Sequence, residues 1–185
     1  YNVSNVYLFN VYNESSFYAE GSIIEYCGYW ANDEPLYKRE GPWINTDNVS
    51  LVGCTFRHNY YGLVAVLSSN LKLQNCTIEN NEYHGMVIIQ CSNVTLDRCT
   101  VTSNLWDGIR AHDTDYFTVT NSTLSNNRFA GILLFEGCSH ATVINSTLSD
   151  NGARGLEFYR NCFYLLVKNC NLSNNGIYDG LTTYE

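Results

Sequence analysis

Asparagine recurs at Asn59, Asn81, Asn104, Asn127, Asn151 and Asn175, at intervals of 22, 23, 23, 24 and 24 residues, and the text around each copy repeats with it. A period of this size marks a solenoid, in which one short unit cannot bury its apolar face until neighbouring copies stack on it. Laid in register, units 48–69, 70–92, 93–115, 116–139, 140–163 and 164–185 share a set of columns. Apolar residues alternate with polar ones in the first half of each unit (Val49/Leu51, Leu71/Leu73, Val94/Leu96, Phe117/Val119, Ala141/Val143, Leu165/Val167), a period of two and hence a strand. A small-residue column follows (Cys54, Cys76, Cys99, Ser122, Ser146, Cys170), then an apolar one (Phe56, Ile78, Val101, Leu124, Leu148, Leu172). The asparagine comes next, then a short turn and a glycine at Gly62, Gly85, Gly108, Gly131, Gly155 and Gly180, after which a second strand begins.

A solenoid corner turns sharply. Asparagine tolerates left-handed geometry, and its amide can bond the equivalent amide one coil away, so the six copies are expected to form a structural ladder at the corner. The glycine is expected to supply a second unusual dihedral. Leucine-rich repeats need a leucine-dense consensus and helical repeats are longer, so the corner chemistry favours an all-β coil.

The stretch Asn75-Cys76-Thr77-Ile78-Glu79-Asn80-Asn81, echoed at Asn121-Ser122-Thr123-Leu124-Ser125-Asn126-Asn127 and at Asn145-Ser146-Thr147-Leu148, resembles the parallel β-helix repeats of the pectate-lyase-like superfamily, in the style of NosD-type and archaeal surface-protein repeats. The resemblance implies a right-handed, single-stranded parallel β-helix. It implies no single activity, because lyases, hydrolases, epimerases, tailspikes and structural surface proteins share that coil.

The expectation is one domain, 1–185, of about seven coils. The first coil is placed at about 5–27, with Asn5-Val6-Tyr7-Leu8 as its first strand and Gly21 to Cys27 as the segment after the glycine. An inserted loop follows at 28–47, carrying Trp30 and Trp43, and regular coils fill 48–185. The absence of an initiator methionine and of a leader suggests a mature chain or one whose targeting segment has been removed. No apolar run is long enough to span a membrane as a helix. A net charge of −8 with ten Lys and Arg argues against nucleic acid and leaves divalent ions, cationic partners and neutral sugars.

Eight cysteines fall into two expected columns, Cys54, Cys76, Cys99 and Cys170 in one, Cys27, Cys91, Cys138 and Cys162 in the other beside Ser68 and Thr114. Buried reduced thiols are the leading reading. A bridge such as Cys138 to Cys162 is an alternative, and a copper(I) site a third, although the tight spacing of metal motifs is missing. No cofactor or metal is therefore expected. Of eight Asn-x-Ser/Thr triplets, those at Asn75, Asn121 and Asn145 precede an outward threonine and are the glycosylation candidates.

The strand after each glycine should point Val64/Val66, Val87/Ile89, Arg110/His112, Leu133/Phe135, Glu157/Tyr159 and Thr182/Tyr184 outward. So apolar a face calls for a cover: the tryptophan-bearing insertion, another subunit or a carbohydrate. Regular coils without long loops, a chain that stops in a strand, and fifteen tyrosines favour an extracellular or cell-envelope structural protein that self-assembles into a surface layer, sheath or filament. The alternative is a carbohydrate-active or carbohydrate-binding β-helix, with Arg110, His112 and Glu157 as the catalytic set and Asp107, Asp113 and Tyr159 nearby. Asn45-Thr46-Asp47 matches a pectin-hydrolase motif in letters, but its further aspartates and Gly-His-Gly are missing, and Tyr83-His84-Gly85 reads as a turn.

Overall fold

The computed structural model describes residues 9–12, 16–28, 41–176 and, as backbone, 181–184. Every paired strand is parallel, and each coil contributes in turn to three sheets that enclose one core. The seven-stranded sheet holds the alternating segments such as Ser69–Gln74 and Ser92–Asp97. The five-stranded sheet holds Ile23–Glu25, Thr55–Arg57, Thr77–Glu79, Thr100–Thr102 and Thr123–Ser125. The eight-stranded sheet holds the segments after the glycines, among them Leu63–Val66, Met86–Ile89, Ile109–His112, Ile132–Phe135 and Leu156–Tyr159.

Successive coils stack without slippage: Leu73 pairs with Leu96 and Leu96 with Val119, Ile78 with Val101, Met86 with Ile109. Because the register carries like onto like, the core is a set of vertical apolar stripes, with Leu73, Leu96, Ile78, Met86 and Ile109 all at 0% exposure. A slip by one residue would turn each stripe to solvent, so burial itself pins the register.

Five coils supply a strand to all three sheets, fewer than the seven expected. In the last two the five-stranded sheet is continued only by isolated bridges at Thr147 and Asn171. The N-terminal register also differs from expectation. Phe17 pairs with Val49 and Ile24 with Phe56, so Gly21 lies over Gly53 and not over the post-turn glycines. Cys27 then falls at the foot of the asparagine column, its N–H donating to Asn59 Oδ1 at 2.8 Å, and leaves the column of Ser68 and Cys91. Thr46 stands there instead, its N–H 3.3 Å from Ser68 Oγ. Trp43–Asn45 is a strand of the eight-stranded sheet and not part of a loop; 29–40, with Trp30, lies outside the described residues, as do Asn5 to Leu8.

The corners use dihedrals in a way the repeat letters disguise. Left-handed backbone belongs to the residue before each ladder asparagine, His58, Asn80, Ser103, Asn126, Asp150 and Asn174 (φ 53 to 58), and not to the ladder asparagines. The other two corners use left-handed backbone as well, one at Asn75, Arg98, Asn121, Asn145 and Asn169, the other at two places, first Leu67, Gln90, Asp113, Glu136 and Arg160 and then Asn48, Asn70, Asn93, Tyr116, His140 and Tyr164. Asparagine is frequent there because its short amide compensates locally for a conformation that costs other residues about 1–2 kcal/mol. The ladder asparagines do a different job. Asn104 Oδ1 accepts from the Asn81 N–H (3.2 Å) and Nδ2 (2.8 Å), while its own Nδ2 donates to Ile78 O (3.3 Å) and Asn127 Oδ1 (2.9 Å).

Gly62, Gly85, Gly108, Gly131 and Gly155, after the turn, do not have left-handed φ either. A Cβ on Gly108 would sit 2.6 Å from Gly131 O and 2.8 Å from Asn127 Nδ2, so the residue is required by space.

Candidate functional site

Strand alternation sends Arg110, Leu133 and Glu157 outward in one vertical row of the eight-stranded sheet and His112, Phe135 and Tyr159 in the next. Val66, Val87 and Ile89 continue these rows and, like them, are half-buried. Val64 is only 3% exposed, in register beside Trp43 at 6%, so the expected bare apolar face is largely shielded by its own neighbours. Tyr184 pairs with Tyr159 through the backbone.

The upper part of this face is an aromatic and charged island. Phe135 and Tyr159 stack with centroids 5.0 Å apart and planes at 7°. The Arg110 guanidinium lies over Phe135 at 5.1 Å, and that of Arg160 over Tyr159 at 5.1 Å, distances at which a cation is drawn to a ring face. Arg160 also reaches Glu136 (3.1 Å), whose carboxyl is held below the usual range first by Arg160 and then by His112. His112 is bracketed by carboxylates, Nε2 at 3.2 Å from Glu136 and Nδ1 at 3.1 Å from Asp113. Arg110 alone among these cations has no carboxylate within bonding distance among the described residues.

The proposed catalytic trio is not assembled. Leu133 separates Arg110 from Glu157 in their row, and Glu157 is held at 2.8 Å by Arg154, both side chains below 15% exposure. A carboxylate committed to a guanidinium is a poor general base.

Sequence reasoning missed the adjoining corner. Tyr60, Tyr83, Trp106 and Phe129 form a continuous stack, with centroid steps of 5.7, 4.8 and 4.3 Å. Behind it His84 and Asp107, each 3% exposed, lie 3.2 Å apart, and Asp107 Oδ1 accepts the Ala130 N–H at 3.0 Å. Burial pushes His84 down in pKa against the opposing pull of Asp107, whose Oδ2 and backbone N lie 3.2 and 3.3 Å from His84 Nδ1. The legible signal was an aromatic residue two places before the glycine in four consecutive coils.

The family described as the right handed beta helix region matches residues 41–184. The chain belongs to this family. No curated protein is significantly similar in sequence. Among solved structures, one mutant of the periplasmic alginate epimerase AlgG superposes with a TM-score of 0.67 at 15% identity, over 86% of this chain and 42% of that one. A double mutant of AlgG gives 0.61 at 12% identity, over 95% and 50%. The Agl-KA catalytic domain gives 0.54 at 21%, over 75% and 27%. This right-handed β-helix thus spans half or less of the length of these neighbours, and the likeness is one of fold.

Within the β-helix the small-residue column is interior. Cys54, Cys76 and Cys99 are at 2% exposure or less, and Cys170 is half-buried. Cysteine and serine interchange there because each donates to the carbonyl two residues back, Cys76 to Gln74 O at 3.4 Å and Ser122 to Thr120 O at 2.7 Å. Cys91 and Cys138 are buried in the second column and Cys162 is half-buried; all eight thiols are free. Asn75, Asn121 and Asn145 are exposed at a left-handed corner. Among the described residues no group of three His, Cys, Asp or Glu could hold a metal, and no helix is long and apolar enough to cross a membrane.

Proposed function

We propose that this β-helix binds a polysaccharide on the outer face of the eight-stranded sheet, with Arg110, Phe135 and Tyr159 at the centre. One observation carries the reading: Arg110 is a cation without a carboxylate partner among the described residues, poised over an aromatic ring on a half-buried face. A guanidinium in that setting suits a sugar carboxylate, which it can grip with two parallel hydrogen bonds, while adjacent ring edges and aliphatic carbons contact the pyranose. Likeness in fold to an alginate epimerase supports a carboxylated glycan as the ligand class. Binding is favoured over turnover, because Glu157 is tied to Arg154 and His112 sits between Asp113 and Glu136. A protein with such a ligand belongs outside the cell or in its envelope. The likeness in fold to carbohydrate-active proteins favours this reading over self-assembly, and Val64, one residue of the apolar face that self-assembly drew on, is buried.

Affinity electrophoresis in gels containing alginate or a neutral glucan tests this. Alginate should retard the wild-type chain more than the neutral glucan, and Arg110→Ala should weaken that retardation about tenfold or more, as loss of a charge-assisted pair of about 1.5–3 kcal/mol implies. Equal retardation of wild type and variant would overturn the assignment.

A further inference from the structure

We infer that Cys138 and Cys162 form an oxidation site, at which a hydroperoxide converts two stacked thiols into a disulfide joining adjacent coils. The inference is independent of the carbohydrate reading. Phe135 pairs with Tyr159 and Ser139 bridges to Phe163, so the two cysteines face each other across one coil step. That step of about 4.8 Å lies inside the window of about 4.4–6.8 Å between Cα atoms that a disulfide accepts.

Surroundings single this pair out. Cys138 is 1% exposed and Cys162 half-buried, so Cys162 is the more accessible residue of the two. Cys138 Sγ lies 3.6 Å from Ala111 O and Cys162 Sγ 3.5 Å from Leu134 O, and the neighbouring Cys138 thiol brings that of Cys162 down to about 6 while Cys138 is pushed up. Cys76 and Cys99 share the stacked relation, with Cys76 brought down to about 7, but at 1% and 2% exposure they are out of reach of a solute. Cys170 is half-buried, yet its column neighbour is Ser146; Cys91 lies between Ser68 and Thr114. Among the described residues only Cys138 and Cys162 combine a second thiol with access.

The chemistry balances in two steps. The Cys162 thiolate attacks the outer oxygen of the hydroperoxide, the O–O bond breaks, and the alkoxide or hydroxide leaves with a proton from solvent, so that Cys162 becomes a sulfenic acid. The Cys138 sulfur then attacks the Cys162 sulfur, the S–O bond breaks, and water leaves with the Cys138 proton. Two thiols are oxidised by two electrons in total and one peroxide bond is reduced.

Treating the folded chain with stoichiometric hydrogen peroxide, alkylating, and mapping peptides by mass tests this. The expected product has lost two hydrogens and links Cys138 to Cys162, and its rate of formation should rise as pH passes about 6. Cys138→Ser should halt Cys162 at a sulfenic acid that dimedone traps, and Cys162→Ser should leave Cys138 reduced. Serine already occupies this column at Ser68, so both variants should fold. A Cys76–Cys99 bridge forming as fast, or Cys162 passing to sulfinic acid in the wild type without a bridge, would overturn the proposal.

Discussion

Two of the asparagine columns that run along this molecule have the same coil-to-coil spacing, and they are not interchangeable. The buried one, Asn59 to Asn175, is 0–7% exposed. Its members link neighbouring amides at 2.8 to 3.1 Å and also satisfy backbone groups from Ile24 O to Leu148 O. The exposed one, Asn121, Asn145 and Asn169, has long amide contacts of 3.4 and 3.2 Å and is headed by Arg98 and Asp97. At the third corner Asn48, Asn70 and Asn93 give way to a Tyr116–His140–Tyr164 stack with no change of φ sign. Identical letters thus report two physical needs: in the interior a polar group that completes hydrogen bonds water cannot reach, at the surface a side chain that tolerates left-handed backbone.

The interior column should be the more fragile by a wide margin. Asn104→Ala deletes four hydrogen bonds and leaves the buried Asn81 N–H without its acceptor. At roughly 1–3 kcal/mol for each buried group left unsatisfied, the expected loss is about 3 kcal/mol or more in urea unfolding. A loss below about 1 kcal/mol, within the range of an ordinary surface change, would erase the distinction between the columns.

The glycines divide along the same line. Gly108→Ala forces a methyl against Gly131 O and Asn127 Nδ2, and overpacking of this kind costs about 1–3 kcal/mol. Gly53, at φ +60 with its nearest prospective neighbour at 3.9 Å, has room but a left-handed backbone. Gly53→Asn should therefore be nearly neutral and Gly108→Asn severe. Comparable midpoints for these two asparagine variants would show that space is not what requires glycine at Gly108.

That division also explains what was legible in the sequence. Columns 22 to 24 residues apart were enough to read the parallel coil and the asparagine ladder, because in-register stacking makes like residues neighbours; the third sheet and the burial of the ladder were not read. Glycine was ambiguous: Gly21 looked like a post-turn glycine but is the left-handed partner of Gly53, and this error carried Cys27 into the wrong column. Trp43 was hidden because its strand follows a proline and resembles no other coil. Alternation showed which side chains share the Arg110 face. It could not show that Arg154, from the turn before, would reach Glu157, nor that Glu136, from the corner after, would take His112, because such pairings depend on side-chain reach across corners. His84 and Asp107 occupy a column that also holds Tyr61, Ala130 and Arg154, so no repeated letter marked them.

The smallest effect belongs to the exposed column, and it tests the argument most finely. Asn145 has φ 50, is exposed, and donates to Asn121 at 3.4 Å while accepting from Asn169 at 3.2 Å. If those solvent-facing contacts mattered, alanine and glycine should destabilise equally, since both remove the amide. If the dihedral is what counts, Asn145→Ala should cost about 1 kcal/mol, because a Cβ strains left-handed backbone and alanine has no amide to compensate. Asn145→Gly should then stay within a few tenths of wild type, the strain relieved and only some unfolded-state entropy gained. Urea midpoints for the two variants, read with matched m-values, separate the cases.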